Sequence, residues 1–208
     1  MKKVSIVFHS VSGNSYLIAK EFYNNFKARN IDVNLYRVRD DDFEKLANTF
    51  DFAKEYKDEI MSVSLYDFKE LLDSDAIILG SPTYFGNVSA EMKVFMDEFA
   101  DYWTDAKFYG KKLFAFATAG TPEGGGDMCL NAINIFGQHL GMFNTPIPSN
   151  LVEGVSFPAY GLLHYVGPNG DIRPDDKIKK AIDKICEILC TQLYIIKRGL
   201  AWEKYFTL

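Results

Sequence analysis

Apolar and polar positions along this chain fall into blocks whose period switches between strand-like and helical. Residues 3–8 hold a short apolar run, with Val4, Ile6, Val7 and Phe8, that reads as a buried strand. From about 14 to 29, Ile18, Phe22 and Phe26 recur on one helical face. Ile31 to Val38 alternates apolar with polar positions and predicts a second strand. After Asp40-Asp41-Asp42, the spacing of Phe43, Leu46, Ala47 and Phe50 predicts a short amphipathic helix. Residues 51–64 show no clear period, and Tyr66 to Leu72 predicts another short helix. Ala76 to Gly80 is continuously apolar, as in a central parallel strand covered on both faces. Ser89 is placed to cap a helix carrying the stripe Met92, Phe95, Met96 and Phe99. Leu113 to Thr118 predicts a strand, and Leu130, Ile133, Ile135 and Phe136 a helix ending near Gly141, with Asp127 as its cap. Met142 to Ile147 reads as the last strand. A final helix follows Pro174, with Ile178, Ala181, Ile182, Ile185 and Leu189 on one face.

Strand and helix therefore alternate through the chain, with no internal repeat and no low-complexity linker. That order predicts an α/β fold of three layers, a doubly wound five-stranded parallel sheet. A single domain is expected over residues 1–193. Residues 194–208, with Trp202, Tyr205 and Phe206, form a tail that extends a helix or covers a subunit interface. Ligands of such sheets bind beyond the carboxyl ends of the strands, where the strand order reverses. Loops 9–15, 81–87 and 118–127 all follow strands, so they should gather at that edge.

Composition narrows the partners. The 208 residues carry a net charge of −5, which argues against a nucleic-acid surface. No apolar run approaches a membrane span and the start lacks a signal-peptide core, so a cytoplasmic protein is expected. Three cysteines, Cys129, Cys186 and Cys190, contain no Cys-x-x-Cys pair and read as structural, and no metal site is expected.

Candidate chemistry lies in the three loops. Ser10-Val11-Ser12-Gly13-Asn14-Ser15 places hydroxyls and a glycine between a strand and a helix start. Two readings fit it: a turn with a Ser or Asn helix cap, or a phosphate cradle of neutral donors at the helix N-terminus. It has neither the spaced glycines of a dinucleotide fingerprint nor the Gly-Lys-Ser/Thr of a nucleoside-triphosphate loop. The second loop, Pro82-Thr83-Tyr84-Phe85-Gly86-Asn87, offers flat aromatic surface, either to a planar ligand or to the core beneath. The third, with Thr118, Ala119, Gly120, Thr121, Gly124 and Gly125, allows close backbone approach, or is a mobile connector.

Together these residues resemble a known family. Ser10-x-Ser12-Gly13-Asn14-Ser15 is similar to the phosphate loop of flavodoxin-like FMN proteins. The run Gly80 to Asp97 closely resembles the second flavin loop of the WrbA family of FMN-dependent NAD(P)H:quinone oxidoreductases. Trp103, Tyr109-Gly110-Lys111, Thr118 to Thr121, Leu140-Gly141-Met142 and Tyr160-Gly161 match as well. The resemblance implies a flavodoxin-like sheet with FMN phosphate at residues 10–15, ribityl chain and isoalloxazine at Pro82 to Phe85, and the pyrimidine side at residues 118–124, with Gly86, Asn87 and Gly125 also counted as cofactor-binding. It further implies NADH or NADPH as donor, a quinone or related small acceptor beside Trp103, and assembly as a homodimer or homotetramer. His164 is a candidate proton donor to the acceptor. Ser12 stands where the family commonly has Tyr, as in flavodoxins, which leaves an electron carrier as the alternative function.

Overall fold

The apolar runs become parallel strands, and the helical stripes lie against both faces of the sheet they form. The computed structural model describes residues 2–49 and 51–202. Phe50, expected on a helix, and Tyr205 and Phe206 of the tail lie outside the described residues, as does the side chain of Trp202. In chain order the elements are β1 (Lys3–Phe8), α1 (Asn14–Ala28), β2 (Asp32–Arg37), α2 (Phe43–Thr49), α3 (Asp51–Lys54), α4 (Lys57–Ser62), α5 (Phe68–Asp73) and β3 (Ala76–Pro82). There follow α6 (Ala90–Asp97), α7 (Ala100–Trp103), β4 (Lys112–Ala119), α8 (Gly126–His139), β5 (Phe143–Asn144), β6 (Leu162–Tyr165) and α9 (Asp176–Trp202). The sheet runs β2-β1-β3-β4-β5, with β6 also paired to β4, and every pairing is parallel.

Strand alternation sorts the side chains into two cores. Val4, Ile6, Phe8, Ile78, Phe114 and Phe116 face α1 and α9, while Val7, Ile77, Leu79, Leu113 and Ala115 face α6 and α8. Phe22 of α1 packs on Phe114 and Phe116, with ring centroids 5.7 and 5.8 Å apart. Ser89 caps α6 as expected, its hydroxyl accepting from the Met92 N–H. The aperiodic stretch 51–64 folds as the short helices α3 and α4, which bury Ala53 and Ile60. Cys129 and Cys186 are buried and Cys190 half-buried, all free; burial pushes the Cys129 thiol up to about 11.

Two expectations need correction. The last strand, read at Met142 to Ile147, is split. β5 has two residues, and Pro146, lacking an N–H, cannot extend its ladder. The chain leaves the sheet, buries Ile147, Leu151, Val152 and Phe157, and returns as β6 further along the same edge of β4. The fifth position of the sheet is thus filled by two short pieces. Asp127 does not cap α8 either. Gly125, in the left-handed region at φ 78°, is the cap residue, and Asp127 sits within the first turn.

Candidate functional site

β1 is flanked by β2 on one side and β3 on the other, so the chain's winding reverses there and a crevice opens beyond its carboxyl end. The three loops meet at this point through specific bonds. Ser15 Oγ lies 3.2 Å from Thr118 Oγ1, joining the first loop to the third. The Thr83 N–H donates to Thr118 O at 2.8 Å, joining the second to the third. A Cβ on Gly125 would stand 2.8 Å from Gly86 Cα, so the second and third loops touch backbone to backbone. Gly125→Ala is expected to destabilise the fold by about 1–3 kcal/mol, because it adds left-handed strain to that overlap. Thermal melting of the apo-protein measures it, and an unchanged Tm would contradict this packing.

A cavity of about 340 Å³ lies among the loops, within the usual size range of small-molecule sites. Of the expected residues, Ser10, Val11, Ser12, Ser15, Pro82, Thr83, Tyr84, Thr118 and Gly120 line it. Gly13, Asn14, Phe85, Gly86, Asn87, Ala119, Thr121, Gly124 and Gly125 stand behind or beside this lining. Tyr84 and Asn87 exchange backbone hydrogen bonds across a tight turn in which Phe85 (φ 51°) and Gly86 (φ 73°) are both left-handed. That turn thrusts the Phe85 ring wholly into solvent. Tyr84 is half exposed. Burial of its phenol, then the Glu91 and Asp40 carboxylates, raise the Tyr84 pKa.

The first loop does not cap its helix with a side chain. Gly13, at φ 92°, is the cap residue of α1, and no Ser or Asn side chain caps it. The first bond down the helix is Leu17 N–H to Gly13 O, so the preceding N–H groups have no acceptor within α1. Ser10 Oγ is buried and has no hydrogen-bond partner among the described residues. A buried hydroxyl left unpaired costs free energy, and here it borders a cavity at a helix N-terminus. These residues suit an anionic, hydrogen-bonding guest such as the FMN phosphate.

A fourth wall was not foreseen. Val166, Gly167, Pro168, Asn169 and Gly170, in the turn after β6, also line the cavity. Asn14 Nδ2 donates to Gly170 O at 2.7 Å, tying this turn to the first loop. Behind it, Arg173 Nη1 donates to Ser12 O at 2.6 Å, and its guanidinium lies 4.8 Å over the Tyr56 ring and bridges to Glu55. The loop therefore has a cation at its back, although none was legible within it. The signal was the short run Leu162-Leu163-His164-Tyr165 followed by Gly167-Pro168-Asn169-Gly170, a strand and turn too brief for periodicity.

Two residues expected beside the acceptor lie elsewhere. Trp103 donates from Nε1 to His139 O at the end of α8, in a recess with Tyr109 and Gly141. Gly110 N–H donates to Gly141 O just before β4 begins, so Trp103 occupies the edge of the sheet opposite the loops. His164 is buried on β6, 3.0 Å from Ile172 O, where it supports the 166–172 turn from beneath, and desolvation lowers its pKa. Neither residue lines the cavity.

Comparison with known proteins gives the fold and the family. The chain is 30% identical over 148 residues to NAD(P)H dehydrogenase (quinone) 3 of Rhizobium meliloti, spanning 71% of this chain and 68% of the relative. It is 26% identical to NAD(P)H dehydrogenase (quinone) of Archaeoglobus fulgidus over 91% of this chain and 100% of that one. Among solved structures, a WrbA-like flavodoxin from Agrobacterium tumefaciens superposes with a TM-score of 0.63 at 16% identity, covering 92% of this chain and 99% of that chain, which establishes the flavodoxin-like fold. Residues 3–154 match the NADPH-dependent FMN reductase family, and the chain belongs to that family.

Proposed function

We propose that this protein is an FMN-dependent NAD(P)H oxidoreductase that reduces quinones or similar small acceptors by two-electron transfer. The observation that carries the reading is Ser10 Oγ, a buried hydroxyl without a partner at the border of the cavity and beside the N-terminus of α1. Bound FMN supplies the hydride and two-electron chemistry, for which no side chain in the cavity is suited. The hydroxyls of Ser10, Ser12 and Ser15, with the first N–H groups of α1, hold the phosphate; charge-assisted bonds of this kind are the stronger class. Gly13, Val11 and Asn14 shape that loop. Pro82, Thr83, Tyr84, Phe85, Gly86 and Asn87 flank the ring, and the backbone of Thr118, Ala119, Gly120, Thr121, Gly124 and Gly125 faces its polar edge. The turn at 166–170, tied to the first loop through Asn14 and Gly170, would close the cavity beside the phosphate.

In this reading residues 1–193 form one domain that works in the cytoplasm as a homodimer or homotetramer, without a nucleic-acid partner. The net charge of −5 supports the last point, and no described helix is long and apolar enough to cross a membrane. The test is direct. The FMN-loaded protein is mixed anaerobically with NADH or NADPH, then with benzoquinone. Bleaching of the flavin by one nucleotide and its recovery with quinone are expected. A flavin that neither nucleotide bleaches would overturn the reductase reading and favour a protein-to-protein electron carrier.

A further inference from the structure

An anion held by the first loop is attracted by backbone N–H groups and repelled by carbonyl oxygens, so the direction in which each peptide faces matters to its grip. The peptide between Ser12 and Gly13 is the one least fixed by its own sequence. Gly13 lies in the left-handed region at φ 92°, and a glycine on one side lets a peptide turn over at little steric cost. The fold settles its direction from outside the loop. Arg173 Nη1 donates to Ser12 O at 2.6 Å, from a side chain that does not line the cavity. All the described peptide bonds are trans, so the Gly13 N–H points opposite to that carbonyl, away from Arg173. Gly13 is buried, and nothing among the described residues accepts its N–H. Buried N–H groups are rarely left unpaired, and this one stands in the loop where the hydroxyl of Ser10 is also unpaired.

We propose that Arg173 is a positioning residue for the FMN phosphate: by holding the Ser12 carbonyl back, it presents the Gly13 N–H to the anion. The proposal rests on the FMN part of the reading above, and not on the electron donor or acceptor.

The guanidinium is itself held in place. Nη2 meets Glu55 Oε2 at 3.1 Å, and the group lies 4.8 Å from the centre of the Tyr56 ring. Tyr56 stands directly against Gly13, where a Cβ would run into its ring. One turn of chain away, Gly170 O accepts from Asn14 Nδ2 at 2.7 Å. The segment 170–173 therefore grips the loop on both sides of Gly13, at Ser12 and at Asn14. Arginine suits this place better than lysine, because one planar fork reaches two acceptors at fixed angles while its face lies on a ring. Glu55 offsets much of the guanidinium's charge, so the effect on the phosphate comes chiefly through the peptide that Arg173 orients.

The test reads that peptide as well as the affinity. FMN is titrated into the apo forms of wild type and Arg173→Gln, and the backbone amide protons are followed by NMR. In wild type, FMN should move the Gly13 amide proton strongly downfield, as a hydrogen bond to phosphate does. In Arg173→Gln, FMN affinity should fall by about tenfold, the loss of one hydrogen bond to a charged group. The Gly13 shift at saturation should shrink with it. Arg173→Lys keeps a cation without the fork and is expected to lie between the two; if the Gln variant does not fold, it is compared with wild type by the same two readouts. A Gly13 proton that FMN leaves in place in wild type would overturn the proposal. So would unchanged affinity in the variant, or weaker affinity with the full Gly13 shift, which is what a residue that only braces the fold would give. A wild-type protein that takes up no FMN would remove the flavin reading itself, whereas FMN that binds but is bleached by neither nucleotide overturns only the reductase reading.

Discussion

Ser10→Ala is expected to separate folding from cofactor binding. In the apo-protein the Ser10 hydroxyl is buried without a partner, so its removal leaves Tm unchanged or slightly higher. In the FMN complex that hydroxyl donates to a charged phosphate, a bond worth about 1.5–3 kcal/mol. FMN affinity should therefore fall by roughly ten- to a hundredfold, at 1.4 kcal/mol per factor of ten. Fluorescence titration of FMN against the apo-protein measures the affinity, and a melt of the same sample measures the stability. Ser12, half-buried and with its carbonyl already taken by Arg173, is a weaker place to make the same point. Unchanged FMN affinity would move the phosphate away from the end of β1.

The opposite signs expected of Ser10→Ala also show what the sequence could not settle. A Ser-Gly-Asn-Ser run serves a helix cap or an anion equally well, and side-chain orientation separates the two. Here the cap residue is Gly13, leaving the hydroxyls for a guest. A Cβ at Gly13 would also run into the Tyr56 ring, a contact supplied by the aperiodic stretch before α4. The glycine is thus fixed by a neighbour far away in the chain as much as by the loop's own turn.

The strands that carry the first three loops were legible because each holds an apolar run long enough to read as a buried strand, as in Ala76 to Leu79. β5 was read as longer than its two residues and β6 escaped, because neither is long enough to set its own bounds. Proline and glycine interrupt the edge position, and the side chains of the intervening residues, such as Ile147 and Phe157, pack on the α1–α9 core instead of marking a strand. The turn at 166–170 and Arg173 were lost with them. Trp103 stands outside the cavity lining for another reason. Resemblance along the chain assigns a residue to a motif, whereas only the register of β4 shows at which end of the sheet it stands.

Phe22→Ala is expected to have the reverse profile of Ser10→Ala. Phe22 is fully buried and seats α1 on the sheet through Phe114 and Phe116. Truncating a buried phenylalanine to alanine typically costs about 3–5 kcal/mol, from lost burial and the cavity left behind. That is a large share of the roughly 5–15 kcal/mol that holds a domain together, and the apo Tm should fall by about 6–20 °C. The phosphate donors at the head of α1 are untouched once the helix is seated. FMN at a hundred times its Kd should therefore return about 2.7 kcal/mol to the folded state, as it does for wild type. Melts of apo and FMN-loaded protein at matched excess give the two shifts. If FMN stabilises wild type but not Phe22→Ala under those conditions, seating of α1 on Phe114 and Phe116 is itself part of the binding site. If Phe22→Ala melts with wild type, the α1 face of the sheet is not packed as described. The pair of variants thus tests separately the two things this helix does: Phe22 joins it to the sheet, and its N-terminus, beside Ser10, receives the anion.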